Sequence, residues 1–551
     1  MKKIWEIFDN IRFNGFNFNM KPRKNGTLIA FIVTLVLFMI AEYILLTPIN
    51  LRSPEFLMVF AFFMLLFVLL KCLLCADFGQ FGKIGCIIPI VIVVLVFVGD
   101  LFSSEIFNAK KYQSQLEMDE DADFYEDNEV VNYESIPVVD KDSAVKLGKT
   151  QIGKISEYVS QFDIDEEYTQ INYNDNPYRV TTLSYSNIFK WFTNQSEGLP
   201  AYISVNMVTQ DSEVVVLDEG MKYSKSDHFF RDIDRYLRLK YPTLMFEEAS
   251  FEIDDDGNPY WVAPVYYYTI GLFGGEDIKG AVLVNAVTGE SEYYSIDDVP
   301  SWIDRVYPSD LIVSQLENWG KYSNGYINTW TSQTGVLKPT DGYNYVALDD
   351  DVYLYTGLTS VSEDTSNVGF ALINLRTKEA KYYAISGADE YSAMSSAEGK
   401  VQNLGYEATF PILINAGGYP TYFMSLKDDE GLVKQYAFVS VENYQIVATG
   451  ESVVEAEENY YQLLEDNGQQ TTSTELVTET IKGTITSLSN AVVDGNTYYY
   501  FMVEDYDDVF IASITSNDTL PLMEVGDYVE FTYNSDSTTT DNASDLEIEK
   551  E

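Results

Sequence analysis

Leu28-Ile-Ala-Phe-Ile-Val-Thr-Leu-Val-Leu-Phe-Met-Ile-Ala-Glu-Tyr-Ile-Leu-Leu46 is a run of 19 residues with a single charge. Wound as a helix at 1.5 Å per residue, such a run reaches across a hydrocarbon core about 30 Å thick. Phe56–Ala76 and Gly85–Phe102 have the same character, and the roughly 450 residues behind them carry no further run of this kind. These runs predict three transmembrane helices within residues 28–102, with the lipid bilayer as their partner, ahead of a large domain outside the membrane.

Basic residues set the expected orientation, because Lys and Arg are retained on the cytoplasmic side. The tail 1–27 carries Lys2, Lys3, Arg12, Lys21, Arg23 and Lys24 against Glu6 and Asp9, so it is expected to be cytoplasmic. Three spans then place residues 103–551 outside the cell, in a multi-pass cell-membrane protein. Lys83 on the inner loop agrees, and Arg52 balanced by Glu55 on the outer loop is neutral. A cleaved signal peptide also starts with a basic segment and an apolar run, but here two more spans follow at once.

The chain carries −50, yet residues 1–101 hold nine basic and six acidic residues, so the outer region accounts for −53. Such a field keeps a domain soluble and repels nucleic acid and anionic lipid. Cys72, Cys75 and Cys86 all lie in or beside the spans. The outer region therefore has no disulfides and folds on core burial alone. Two cysteines in an apolar helix lack the partners of a zinc site. Glu42 and Lys71 are charges within spans, but both sit near helix ends and reach the interface by snorkelling.

Residues 103–135, with Glu117-Met-Asp-Glu-Asp121, read as an acidic linker without a packed core. From 136 to 467 the composition changes to aromatic and β-branched residues alternating with polar ones, the period of half-buried strands. One phrase recurs as Ala201-Tyr-Ile-Ser-Val-Asn206, Ala281-Val-Leu-Val-Asn285 and Ala371-Leu-Ile-Asn374, and more loosely as Tyr436–Val441. Each is followed by a polar turn and a second strand, which predicts a hairpin. Asn176-Pro-Tyr178, Gly257-Asn-Pro-Tyr-Trp261 and Gly418-Tyr-Pro-Thr-Tyr422 precede three of the hairpins. Helical spacing follows each, over Ser226–Lys240, Val299–Trp319, Glu390–Leu404 and Val453–Glu465; in the first, Phe230, Ile233 and Leu237 form the stripe and Ser226 or Asp227 the cap. The unit, several strands and one helix, is read about four times.

These units resemble PepSY-type modules, small α+β units with a Thr-Gly hairpin such as Thr288-Gly289. The second and fourth copies match best; the first has Thr209-Gln210 and the third lacks the proline. Through Gly271-Leu-Phe-Gly-Gly275, Lys279–Glu290 and Tyr391–Ala397 the chain is also similar to an uncharacterised family of multi-pass membrane proteins of Firmicutes. The resemblance implies a membrane protein with PepSY-like repeats in its extracellular region and, by analogy with PepSY modules, peptidase inhibition or regulation.

A polar linker at 468–474 leads to Glu479–Thr486, a turn at Asp494-Gly-Asn496, Thr497–Val503, Val509–Ile514 and Val525–Tyr533. This spacing reads as an OB-like small β-barrel over 475–534, followed by a disordered acidic tail, 535–551. Tyr498–Tyr500 invite base stacking, but from Glu475 onward two lysines face seventeen acids, which excludes phosphate-backbone binding.

Enzyme motifs are equally scarce. His228 is the sole histidine, on the polar side of a predicted helix, and no HExxH, P-loop or Rossmann glycine pattern is present. Glu252-x-Asp254-x-Asp256-Gly257 imitates an EF-hand start, but its twelfth position is Ala263, so a hairpin turn is expected; Asp349-Asp-Asp351 reads likewise. No catalytic, cofactor-binding or metal-binding residue is assigned. Clusters such as Tyr266-Tyr-Tyr268, Tyr293-Tyr294 and Tyr382-Tyr383 offer flat contact area for recognition. The expected fold is a membrane-anchored α+β chain of three spans, about four PepSY-like repeats and an OB-like barrel. The expected function is non-enzymatic: binding or regulating an envelope protein, peptide or wall polymer, without nucleic acid. The alternatives are an extracellular carboxylate-dependent wall hydrolase and a subunit of a membrane export or sensing complex.

Overall fold

The computed structural model describes residues 23–75, 80–128, 136–152, 160–174, 176–348, 351–360, 366–469, 478–493, 496–504, 506, 509–513, 520–534 and 541–549. Tail residues 1–22, linker residues 470–474, Asp349-Asp350 and the turn residues Asp494-Gly495 lie outside them. The chain divides into two units, Met1–Gln469 and Gln470–Glu551.

Three helices open the first unit: α1 (Gly26–Leu45), α2 (Pro54–Cys75) and α3 (Gln80–Ser103). Each contains a stretch long and apolar enough to cross a membrane, and most of its side chains face outward. Pro54 starts α2 where a missing N–H costs nothing, and the Ser53 hydroxyl accepts the Phe56 amide at 3.1 Å as a cap. The α1–α2 connection is bonded to the domain above it. Ile49 N donates to Pro242 O at 2.7 Å, Arg52 Nη1 to Tyr268 O at 3.0 Å, and Arg238 Nε to Leu46 O at 2.7 Å.

Residues 103–128 correct the expectation of an unpacked linker. They form α4 (Glu105–Gln113), the short strand β1 (Met118–Asp119) and a single turn, α5 (Phe124–Asp127). Tyr112, Leu116 and Phe124 are buried while Glu117, Asp119, Glu120 and Asp121 face solvent. A few apolar anchors suffice to pack a strongly acidic segment, because its charges need only stay outside. Residues 129–135 lie outside the described residues.

After α6 (Lys141–Ile152), sheet I contains β2 (Phe162–Ile164), β3 (Thr169–Tyr173), β4 (Asn176–Tyr185), β5 (Leu199–Asn206) and β6 (Ser212–Met221), with α7 (Ile188–Asn194) between β4 and β5. After α8 (Ile233–Lys240), sheet II contains β7 (Met245–Phe246), β8 (Ser250–Ile253), β9 (Pro259–Ile270), β10 (Gly274–Asn285) and β11 (Ser291–Ser295). Beyond α9 (Ser309–Lys321), sheet III contains β12 (Leu337–Pro339), β13 (Asn344–Leu348), β14 (Asp351–Ser360), β15 (Ser366–Asn374), β16 (Ala380–Tyr383) and β17 (Gly387–Ala388), with β1 parallel to β16. Sheet IV contains β18 (Glu407–Ala408), β19 (Ile412–Ala416), β20 (Tyr419–Lys427), β21 (Val433–Ser440) and β22 (Val447–Gly450), and lies between α10 (Glu390–Lys400) and α11 (Val453–Asp466).

All four sheets share one strand order. Two short strands run along one edge of a long strand, whose other edge carries its hairpin partner and then an outer strand. The hairpin turns of sheets I, II and III have a common chemical cause. Asn206, Asn285 and Asn374 each accept two amides on one side-chain oxygen, at 2.8–3.0 Å. Gln210, Gly289 and Lys378 then adopt positive φ (63°, 75° and 67°), a conformation that favours glycine.

The third and fourth expected helices begin where expected, at Glu390 and Val453, while the first two start later. Asp232, not Ser226 or Asp227, caps α8 by accepting Arg235 N at 2.9 Å, and Phe230 is 66% exposed instead of lying on the buried stripe. α9 begins only after Pro308. One continuous core joins sheets I, II and IV; a second joins sheets II and III with α9, and a third joins sheets III and IV with α10.

The second unit is a closed barrel of β23 (Thr478–Val493), β24 (Asn496–Val503), β25 (Phe510–Ser513), β26 (Tyr528–Asn534) and β27 (Asp541–Glu549), in the order β23-β24-β25-β27-β26. The expected disordered tail is corrected here: β27 lies parallel to β25 and antiparallel to β26, so the barrel continues past 534. Polar composition hid this strand, since it still pairs through its backbone. Phe501, Phe510 and Phe531 fill the interior.

Candidate functional site

Sheets I, II and III meet around a polar cleft. One hollow, about 490 Å³, lies between the loop before β3, the start of sheet II and the N-terminal end of α9. A second, about 400 Å³, shares Glu167, Tyr168, Arg305 and Tyr343 with the first. A third, about 670 Å³, continues from the second past Lys141 and Glu167.

The cleft is built over a buried polar centre. Glu252, fully buried on β8, accepts Asp304 N at 3.0 Å and Ser250 Oγ at 2.9 Å, and burial pushes its carboxyl above the ordinary carboxylate value. Asp304 in turn accepts Asn172 N at 2.7 Å. These bonds tie β3, β8 and the loop before α9 together, which fixes Arg305 next in sequence. Arg305 Nη2 donates to Ser309 Oγ (3.2 Å) and Tyr345 OH (3.1 Å), with its guanidinium 5.0 Å from the Tyr345 ring centre. Arg179, on β4, is buried, and Nε donates to Val139 O at 3.4 Å. Burial lowers its pKa to about 10 and repulsion from Arg305 acts in the same direction, while Tyr345, Asp140 and Asp142 oppose them.

On the far wall Glu276 lies beside Glu247. Burial first, then its interaction with Glu247 and the negative charge of Glu55, push the Glu276 carboxyl up to about 8. Chemically the cleft offers guanidinium and phenol donors, a pair of adjacent carboxyl groups and aromatic surface.

The other sequence candidates are placed elsewhere. His228 precedes a 3-10 turn, not a helix, and its ring lies 5.0 Å from that of Trp191. The Asp254 carboxylate is consumed by its own turn, accepting Asp256 N (3.1 Å) and Asn258 N (2.8 Å). Asp351 holds Arg376 through two bonds of 2.5 and 2.7 Å. Among the described residues no group of three or more His, Cys, Asp or Glu could hold a metal. Glu42 accepts Thr47 Oγ1 on both carboxylate oxygens at the end of α1.

Tyr266, Tyr267 and Tyr268 lie half-buried along β9, and the most exposed large apolar side chains include Phe189 (77%), Ile327 (75%) and Trp330 (78%). Arg179 and Arg305 carried no sequence signal beyond their type, since the two residues are 126 positions apart in sequence. No protein-family model and no curated protein matches the chain.

Proposed function

We propose that this chain is a non-enzymatic cell-envelope protein whose N-terminus is cytoplasmic and whose residues 103–551 lie outside the cell. Its cleft receives an extended peptide, protein segment or wall polymer. The observation that carries this reading is the row of adjoining hollows, two between sheets I, II and III and a third continuing between α6 and sheet IV, lined by Tyr168, Tyr343, Tyr345, Arg305 and carboxylates. An open, elongated, mixed-charge surface with aromatic rings suits a polymer better than a small enclosed substrate. The shared strand order of the four sheets supports the PepSY-like reading and a regulatory role. The closed five-stranded barrel supports the OB-like one, with its acidic charge turning it away from nucleic acid.

The test is photocrosslinking in cells from benzoylphenylalanine at position 343, with position 444, exposed on another sheet, as control. A discrete adduct from 343 alone is expected; adducts no different from those at 444 exclude the cleft as the binding surface.

The Glu247–Glu276 pair favours a second reading, a carboxylate-dependent hydrolase of the wall. Cleavage of labelled wall polymer by the purified full chain, abolished in Glu276→Gln, replaces the binding reading with this one. Absence of cleavage removes it.

A further inference from the structure

We infer that the hollow between sheets I and III binds an oxyanion of the cleft's occupant, a carboxylate or phosphate, on the guanidinium of Arg179 with Arg305 beside it. The inference rests on the cleft being a binding surface and adds the chemistry that one part of it recognises.

Arg179 stands in mid-sheet, opposite Gln170 on β3 and Val205 on β5. Its side chain is 4% exposed and lines the hollow of about 400 Å³. Among the described residues, the bond from Nε to Val139 O is the one side-chain hydrogen bond it makes, and no carboxylate forms an ion pair with it. A buried charge is ordinarily paired, because removing it from water without a partner is costly. The chain has 85 acidic and 35 basic residues, so a missing counter-ion does not reflect a shortage of carboxylates.

Three carboxylates share this hollow. Asp140 is held by Lys427 at 2.5 Å, Glu167 lies 3.8 Å from Lys141, and Asp142 is exposed to solvent. The donors on its lining are the guanidinium groups of Arg179 and Arg305 and the phenols of Tyr343 and Tyr345. Gln170, directly across from Arg179, is fully buried with neither amide atom bonded. Orphaned buried polar groups of this kind mark a missing partner. Guanidinium groups match the two oxygens of a carboxylate or phosphate through parallel N–H bonds, which selects an oxyanion over a neutral or cationic group.

The full chain in nanodiscs is titrated with sodium acetate and, separately, inorganic phosphate at constant ionic strength, with chloride as reference. The thermal midpoint is followed by tryptophan fluorescence. We expect at least one oxyanion to raise the midpoint by about 2 °C at saturation. The acetate and phosphate arms show which oxyanion is preferred. In Arg179→Met the shift disappears, and apparent affinity falls at least about tenfold in Arg179→Lys, which keeps the charge but loses the fork. Arg305→Met weakens the shift and serves as the test if Arg179→Met does not fold. No shift with either anion in the unmodified chain overturns the inference, as does a shift that survives in Arg179→Met or, where that variant does not fold, in Arg305→Met. An anion shift without crosslinking from position 343 removes the proposed function and leaves this site standing. Crosslinking without an anion shift does the reverse.

Discussion

Replacing Ser103 with alanine removes one oxygen from the junction between α3 and sheet II. That hydroxyl donates to Gly99 O at 2.6 Å and accepts the amides of Leu272 at 2.9 Å and Phe273 at 3.2 Å. Ser103 is 1% exposed and Phe273 is 7% exposed, so the Phe273 amide has no ready access to water once its acceptor is gone. An orphaned buried amide costs about 1–3 kcal/mol, whereas Leu272, 45% exposed, sits where water can replace part of its bond. The sum is about 2 kcal/mol, or roughly thirtyfold in the equilibrium for opening the tip of the β9–β10 hairpin. Hydrogen–deuterium exchange on the full chain in nanodiscs reads this directly. Exchange over residues 268–276 accelerates roughly thirtyfold, while β20 and β21 in sheet IV are unchanged. Unchanged exchange at the tip, or equal acceleration in sheet IV, refutes the assignment of Ser103 as the local clasp. Phe273→Ala removes the ring that packs on Leu57 and Val96 and opens the same tip by about 3 kcal/mol. The two effects combine less than additively because they release one element.

Burial raises the Asp227 carboxyl to about 6 despite hydrogen bonds from Trp191 Nε1 and Ser224 Oγ, each 2.9 Å. A carboxyl whose folded pKa exceeds its unfolded one stabilises below about pH 4, and that stability is lost as pH rises through about 6. Asp227→Asn keeps an acceptor for Trp191, so its thermal midpoint relative to the unmodified chain rises between pH 4 and 7, by up to about 3 kcal/mol in stability. Arg376→Met leaves Asp351, 6% exposed, without its bidentate partner and lowers stability by about 3 kcal/mol in thermal melts; the double variant with Asp351→Asn recovers part of it. Ending the chain at Asn534 removes β27 and leaves β25 and β26 with open edges, so limited proteolysis starts in 478–534 while the first unit stays intact.

The parts of the fold legible in sequence are those governed by local pattern. The three apolar runs correspond to α1, α2 and α3 within a few residues, because span length and apolarity are properties of a single segment. The Asn206, Asn285 and Asn374 phrases mark turns because an asparagine bonds its own following backbone. Legibility stops where burial is decided by distant chain. Leu116 and Phe124 are packed by sheet III and its neighbours, while the acids around them set the local composition. β27 is polar and finds its place only through β25 and β26. The cleft follows the same rule. Glu252 reads as a calcium-loop start in sequence, but it turns inward because Asp304, 52 positions later, presents an amide to it. Arg179 is one more strand residue until sheet III is laid over it.

The contacts at Ser103, Arg52 and Arg238 have a mechanical consequence. An ectodomain on a slack tether swings freely, and a pull on it is taken up by the chain before it reaches the membrane. Here Leu272 and Phe273 are fastened to the end of α3, Arg52 to the backbone of β9 and the turn after it, and Arg238 to the exit of α1. Sheet II is therefore a rigid lever mounted on all three spans. The cleft is held at a constant distance from the ends of the three apolar helices. Load applied there passes along β9 and β10 into α3 without slack and becomes a torque on those helices.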